Sequence, residues 1–263
     1  MPLGADGRNS QFEDPKMKKY VCRSYLLSFL ILVCFPVAGA FAFTIPEKLV
    51  YNVTWAGIKA GTATLEISNA ADEIRIISTA RSDDWISFFY TVDDRVEAML
   101  SKPAPPAVLG APRNYRMKIR EGRRRRDKEV AFDHIRHKAA CRDYIEGGKK
   151  DIDITGKVLD PLSSLYYMRM VTPEVGKPFF VDVFDNMKAS NVQVQVLRRE
   201  RIKTSLGDFD TIVIKPMLKS EGLFYRRGDF YIWLTNDKKH IPVKMQTKVR
   251  LGHVTATLAG GNY

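Results

Sequence analysis

Apolar side chains recur at every second position over much of this chain, and this period limits its fold more than any other feature. Between Lys48 and Trp55 they occupy alternate positions, and the alternation returns within residues 114–133, 192–196 and 243–258. A period of two places the apolar side chains on one face of a β-strand. The pattern predicts an all-β, mainly antiparallel fold of roughly ten to twelve strands, either barrel-like or a strongly curved sheet.

One or two short helices are expected to interrupt the strands. Asp160 is a favoured N-cap, and Pro161 fits the first helical position, where its missing N–H costs nothing. Apolar residues then follow helical spacing up to Met170. Residues 83–90 are crowded with apolar side chains after two aspartates, which predicts a short helix or a tight loop.

Basic residues concentrate in a predicted hairpin from Asn114 to Asp133, whose turn begins at Glu121-Gly122. The four-arginine run is expected at or just past the hairpin tip, exposed to solvent. The candidate contacts for an anionic surface are Arg116, Lys118, Arg120, Arg123, Arg124, Arg125 and Arg126. The alternative is a solvated hairpin tip without a partner.

The N-terminal region has the order of a secretory signal. Lys18, Lys19 and Arg23 precede an apolar run over residues 25–35, which leads to Ala40-Phe41-Ala42. We predict a signal peptide over residues 17–42 with cleavage after Ala42, and a mis-assigned extension over residues 1–16. Residues 43–263 then form a single β-rich periplasmic domain with no integral transmembrane span after processing.

Charge and cysteine content agree with an exported protein. The formal net charge is +12 at pH 7, which favours anionic partners such as acidic lipid head groups, lipopolysaccharide or acidic glycans. Export argues against nucleic acid, and the alternative is a charge that only maintains solubility. After cleavage only Cys141 remains, so the processed chain is expected to form no internal disulfide.

Polar clusters in the sequence do not match a known catalytic or metal-binding pattern. His134 and His137 are three apart, so in a strand their side chains point to opposite faces. Asp83-Asp84 and Asp93-Asp94 are explained by helix capping and turns. Ser163-Ser164 lacks the flanking glycines of a hydrolase nucleophile. We expect no catalytic residue, no metal and no cofactor.

Aromatic residues are the more informative set. A barrel of this many strands can enclose a cavity for one small apolar ligand, and the predicted helix from Asp160 to Met170 can lie at its mouth. The candidate ligand-lining residues are Tyr51, Trp55, Trp85, Phe89, Tyr166 and Trp233. Trp55 and Trp233 are expected on inward strand faces, because each stands in an alternating strand.

Three sequence blocks together resemble the exported bacterial domain-of-unknown-function family 3108. They run from Leu49 to Ile58 with Ala60-Gly61, from Asp160 to Tyr166, and from Ile232 to Asp237 with Ile241-Pro242-Val243. The resemblance covers most of the processed chain. It implies an envelope location and a β-rich, barrel-like fold, and it supplies no activity, substrate or catalytic residue.

The leading functional hypothesis is a non-enzymatic periplasmic module that binds or escorts an apolar or amphiphilic envelope molecule. One alternative is an assembly or structural partner in the envelope. The other is an enzyme that acts on envelope lipid or glycan. An apolar cavity favours the first hypothesis, and converging Asp, His and Ser side chains favour the enzyme.

Overall fold

A computed structural model describes residues 43–104, 107–217, 229–249 and 251–263, and in this part of the chain 14 strands form one antiparallel sheet. The strands are β1 (Glu47–Trp55), β2 (Ile58–Ala70), β3 (Glu73–Ser82), β4 (Asp93–Ser101), β5 (Pro112–Glu121), β6 (Arg124–Asp133), β7 (Lys138–Asp143), β8 (Gly148–Asp153), β9 (Phe179–Asp185), β10 (Lys188–Thr204), β11 (Gly207–Pro216), β12 (Phe230–Thr235), β13 (Pro242–Lys248) and β14 (His253–Asn262). The helices are α1 (Asp84–Ser87) and α2 (Pro161–Met170). The predicted extension, signal peptide and cleavage point lie outside the described residues.

The sheet is an up-and-down arrangement in which consecutive strands are neighbours and β1 pairs with β14. Its two edges, β8 and β9, are not paired with each other, so the barrel-like sheet is open. Leu159, just before α2, forms a parallel bridge with Val183 on the β9 edge. The predicted all-β fold, barrel-like or strongly curved, is confirmed.

The strand count exceeds the predicted ten to twelve because β7 and β8 have no strong apolar alternation. In β7 only Ala139 and Cys141 are buried, and β8 leaves nearly all its side chains exposed. Both lie at the open edge, where few neighbours cover them, so a strand can form there without the usual apolar residues.

Helix α2 lies on the concave side of the sheet, where it contacts β3, β4 and β9. Leu162, Leu165, Tyr166 and Met168 are buried in the main hydrophobic core. The predicted N-cap is confirmed, since the Asp160 carboxylate accepts hydrogen bonds from the N–H groups of Leu162 (2.8 Å) and Ser163 (3.0 Å). The helix therefore fills much of the interior that the curved sheet surrounds.

Replacing Asp160 by alanine should lower the free energy of unfolding by about 2 kcal/mol, because it removes the cap and leaves two buried N–H groups without an acceptor. Asp160→Asn keeps a carbonyl acceptor and should cost much less. Urea unfolding of the three proteins at pH 7 measures the difference. Equal losses for alanine and asparagine would contradict the capping role.

The difference in stability between wild type and Asp160→Asn should depend on pH. Burial raises the pKa of the Asp160 carboxyl, and the hydrogen bonds it accepts only partly oppose this effect. Its contribution to stability is therefore present below the unfolded-state pKa of about 4 and is lost as pH rises through the folded-state pKa. Relative to wild type, Asp160→Asn should gain stability as the pH rises above about 4. A difference that stays constant with pH would count against a raised pKa.

Candidate functional site

The concave side of the sheet contains two cavities that share Asp185 in their lining. The smaller, about 30 Å³, lies between α2 and strands β9 to β12, with Leu165, Val181 and Ile232 among its walls. A volume of this size holds one or two water molecules. It is too small for an organic ligand.

The larger cavity, about 220 Å³, lies where β5 to β8 face the β9–β10 turn, and we call it the seam cavity because it is at the open edge of the sheet. Its apolar walls are Tyr115, Met117, Val130, Cys141 and Phe184. An apolar cavity of about 150 Å³ can bind benzene, whereas drug-sized ligands need about 300–1,000 Å³. The seam cavity therefore has room for a small ring or a short chain segment.

Three basic side chains lie on the same inward face as these apolar walls. Side chains directly opposite each other on paired strands share a face. The pairs are Ile119 with Arg126, Met117 with Lys128, and Cys141 with Lys150. Lys128 also forms an ion pair with Asp143, with 3.0 Å between Nζ and Oδ2. The cavity thus combines an apolar wall with three basic side chains, of which Lys150 is exposed, and with the carboxylates of Asp143 and Asp185.

Tyr115 adds a hydrogen-bond donor to the wall of the seam cavity. Its hydroxyl is buried and has no hydrogen-bond partner among the described residues. Burial raises the pKa of Tyr115 well above its usual value, and the carboxyls of Asp185 and Asp160 raise it further. The hydroxyl therefore stays protonated, and a bound acceptor group can satisfy it.

Cys141 also borders the seam cavity, as a free and buried thiol. Burial is the main cause of its raised pKa. Because a thiolate is the reactive form of cysteine, this residue behaves as a small apolar wall group.

Two candidate ligand-lining residues, Tyr51 and Tyr166, lie together beside a buried ion pair. Arg169 contacts Glu47 through two bonds, of 2.6 Å from Nη1 to Oε1 and 2.8 Å from Nη2 to Oε2. The Arg169 guanidinium is 5.2 Å from the Tyr166 ring centre, and the Tyr51 hydroxyl donates to the Pro242 carbonyl at 2.9 Å. Neither tyrosine borders the two cavities described above.

Three other candidates, Trp55, Trp85 and Phe89, are 39%, 48% and 78% exposed. The Trp55 indole N–H donates to the Leu251 carbonyl at 2.7 Å, across the β13–β14 connection. Trp85 lies in α1, and Phe89 follows it before β4. These side chains lie at the end of the sheet and not in its interior.

Trp233 is buried on the face opposite α2, which differs from the expected inward position. Its cross-strand partners are Val213 and Lys244, whereas the neighbouring Ile232 borders the small cavity against α2. The Lys244 ammonium lies 4.3 Å from the Trp233 ring centre. Strand alternation predicts which residues of β12 share a face, but it does not predict which of the two faces α2 covers.

The basic candidates fall into three environments. Arg116 is paired with Asp127 at 2.9 Å and lies 4.3 Å from the Tyr144 ring centre. Lys118, Arg120 and residues 123–125 are exposed. Arg126, expected in solvent with the rest of the run, is half-buried and borders the seam cavity. The reason is that Arg126 lies within β6 directly opposite Ile119, whose side chain is buried, so the two share the inward face.

His134 and His137 do not belong to a metal site in the described residues. No group of three or more His, Cys, Asp and Glu side chains is arranged there to hold a metal ion. His134 Nε2 is 2.7 Å from the Pro112 carbonyl oxygen, and the ring stacks on Phe132. His137 lies in the β6–β7 turn with a φ of 54°.

None of the helices in the described residues has the length and apolar character needed to span a bilayer.

Sequence reasoning missed Tyr115, Lys128, Lys150 and Phe184 as members of one site. One sequence signal could have indicated this site: a charged residue at an inward position of an alternating strand, such as Lys128, which lies opposite Met117. Lys150 gave no such signal, because β8 itself was not predicted.

The fold and the seam cavity together define an open, barrel-like β protein with an internal helix and a side cavity at its open edge. The chain belongs to the family described as "Protein of unknown function (DUF3108)", whose model matches residues 50–259. This confirms the resemblance seen in the sequence. No curated protein matches the chain.

A solved structure with a similar fold is a β-barrel-like protein of domain of unknown function DUF1849 from Brucella abortus. The similarity covers 83% of this chain and 97% of that chain, with a TM-score of 0.54 and 12% sequence identity. At this identity the comparison supports the fold alone.

Proposed function

We propose that this protein is a non-enzymatic binding module of the bacterial envelope, and that its seam cavity holds the apolar part of a small anionic amphiphile. The observation that carries the proposal is the combination of an apolar wall, an unpartnered Tyr115 hydroxyl and inward-facing Lys128 and Lys150. The signal-like residues 17–42 support export to the envelope.

The cavity dimensions set the scale of this interaction. Each buried methylene contributes about 0.8 kcal/mol, so six methylenes contribute about 5 kcal/mol before the cost of ordering the chain. An anionic head group near Arg126, Lys128 and Lys150 gains charge-assisted hydrogen bonds. The apolar wall therefore provides affinity, and the basic side chains favour an anionic head group.

Binding is favoured over catalysis by the composition of the cavity. Among the described residues that line it there is no serine, threonine or histidine, and burial keeps the Cys141 thiol protonated. Acyl transfer needs an activated nucleophile beside a general base. The lining supports retention of a ligand.

Decyl phosphate should bind about tenfold more tightly than uncharged decyl maltoside, since hydrogen bonds to charged groups contribute more than neutral ones. Isothermal titration below the micelle-forming concentration measures both affinities. Native mass spectrometry of protein purified from its own cells then identifies the natural ligand by mass. Failure of decyl phosphate to bind saturably would refute the proposal.

Matched variants locate the binding. Val130→Phe adds volume to the cavity wall and should abolish decyl phosphate binding, whereas Ala131→Phe, on the opposite face of β6, should leave it unchanged. Lys150→Met should reduce the preference for the phosphate head group, and Lys118→Met, which does not line the cavity, serves as its control. Equal effects within each pair would place the ligand elsewhere.

A further inference from the structure

The sheet topology gathers several exposed apolar side chains at one end of the molecule. In an up-and-down antiparallel sheet, the connections that follow odd-numbered strands all lie at the same end. This end includes the β1–β2, β3–β4, β7–β8 and β13–β14 connections. Its exposed apolar residues include Ile58, Trp85, Phe88, Phe89, Ile145 and Leu251.

The centre of this surface is the β3–β4 connection. Phe88 and Phe89 are 86% and 78% exposed, and their ring centres are 5.0 Å apart in an edge-to-face arrangement. Trp85 and Tyr90 on either side are also exposed. Single exposed apolar residues are common in soluble proteins, but a contiguous aromatic group marks an interaction surface.

The arginine hairpin tip lies directly beside these aromatic residues. The Gly122 N–H donates to the Thr91 carbonyl at 2.8 Å, and Val92 forms an antiparallel bridge with Glu121. The Tyr90 ring packs so closely on Gly122 that a Cβ there would lie 2.7 Å from it. Residues 123–125 are therefore held next to the aromatic group, and we call the two together the aromatic rim.

Charge and residue type decide which partner fits the aromatic rim. Arg123, Arg124 and Arg125 are exposed. Of the two carboxylates directly before Trp85, Asp83 lies 4.0 Å from the Lys59 ammonium and Asp84 is exposed, so the three arginines outnumber these carboxylates. Tryptophan and tyrosine favour the head-group region of a bilayer, phenylalanine inserts at its acyl boundary, and arginines are attracted to anionic lipids. We propose that the aromatic rim docks on an anionic membrane surface.

The position of the seam cavity fits this orientation. Glu146 and Gly147 of the β7–β8 connection and Asn186-Met187 of the β9–β10 turn line that cavity, and both connections lie at the rim end of the sheet. A docked protein would present this side of the cavity to the bilayer. Docking of the aromatic rim on a membrane goes beyond the proposed binding of an amphiphile in the seam cavity and does not depend on it.

The test is co-sedimentation with phosphatidylcholine vesicles that contain no phosphatidylglycerol or 30 mol% phosphatidylglycerol, a composition of about one anionic lipid in three. The protein is used in the form that its own cells accumulate, so that any retained N-terminal segment is common to all variants. Wild type should bind only the anionic vesicles. In Trp55→Phe with Trp233→Phe, which leaves Trp85 as the tryptophan reporter, nitroxide-labelled lipid should quench the fluorescence.

Arg123→Glu with Arg124→Glu should lower partition to anionic vesicles by more than tenfold, because each basic residue near such a surface contributes about fivefold. Phe88→Ser with Phe89→Ser should also lower it by at least tenfold. The matched controls lie at the opposite end: Ile135→Ser for the aromatic change, and Lys102→Glu with Lys238→Glu for the charge change. Circular dichroism checks that each variant is folded.

Equal effects of rim and control variants would overturn membrane docking. So would concentration-dependent dimers of wild type that Phe88→Ser with Phe89→Ser abolishes, since these would assign the rim to a second copy of the chain. Val130→Phe should still bind vesicles, which separates failure of docking from failure of the seam cavity.

Discussion

Replacing Arg169 by methionine should lower the free energy of unfolding by about 3–5 kcal/mol, because it leaves the Glu47 carboxylate buried without its cationic partner. Both side chains are almost completely buried. Arg169 also donates to the Lys239 carbonyl, and its own carbonyl lies 2.6 Å from His240 Nδ1. Loss of the guanidinium therefore affects β1, α2 and the β12–β13 connection together. Urea denaturation followed by far-ultraviolet circular dichroism measures the change.

The double variant separates the net contribution of the ion pair to the free energy of unfolding from the cost of leaving one charge buried without its partner. Glu47→Leu alone should destabilise by a similar amount, whereas Glu47→Leu with Arg169→Met should be closer to wild type than either single variant. Additive losses would mean that the two residues act independently. That outcome would contradict the coupling inferred from their bidentate contact.

This ion pair also shows where sequence reasoning ends. The cap at Asp160 and the alternation of β1 are local patterns, and both were predicted correctly. Glu47 and Arg169 are 122 positions apart, and each looks like an ordinary surface residue in its own segment. Their pairing depends on how the sheet curves around α2, which no local spacing encodes.

The seam cavity was missed for a related reason. Alternation rules assume that inward positions are apolar, yet Arg126, Lys128 and Lys150 occupy inward positions of β6 and β8. Departures from the pattern are expected at functional sites, where polar groups are kept at a cost in stability. In this chain the departures coincide with the seam cavity.

The aromatic candidates illustrate the limit of residue type as a guide. Trp85 and Phe89 were grouped with Tyr51 and Tyr166 as possible cavity walls, because all are large aromatic residues in or near recognisable blocks. The structure separates them into an exposed end and a buried core. The difference follows from topology, since α1 lies in a connection at the end of the sheet whereas Tyr51 lies within β1.

Replacing Trp233 by alanine should lower the free energy of unfolding by about 3–5 kcal/mol, the usual cost of truncating a buried tryptophan. Its buried ring lies against Tyr231 and Lys244 on the face opposite α2, and its indole N–H has no hydrogen-bond partner among the described residues. Trp233→Phe should therefore cost much less, because it keeps an aromatic ring and removes no hydrogen bond. Thermal unfolding compares the variants.

Trp55→Ala provides the matched control, with an expected loss of about 1 kcal/mol or less, because this side chain is partly exposed. Neither tryptophan borders the seam cavity, so decyl phosphate should raise the unfolding midpoint of both variants as much as that of wild type. If Trp233→Ala abolished this ligand-dependent shift while the protein remained folded, the ligand would have to bind through the outer face of β12. Retention of the shift in Trp233→Ala and its loss in Val130→Phe would together place the ligand on the concave side.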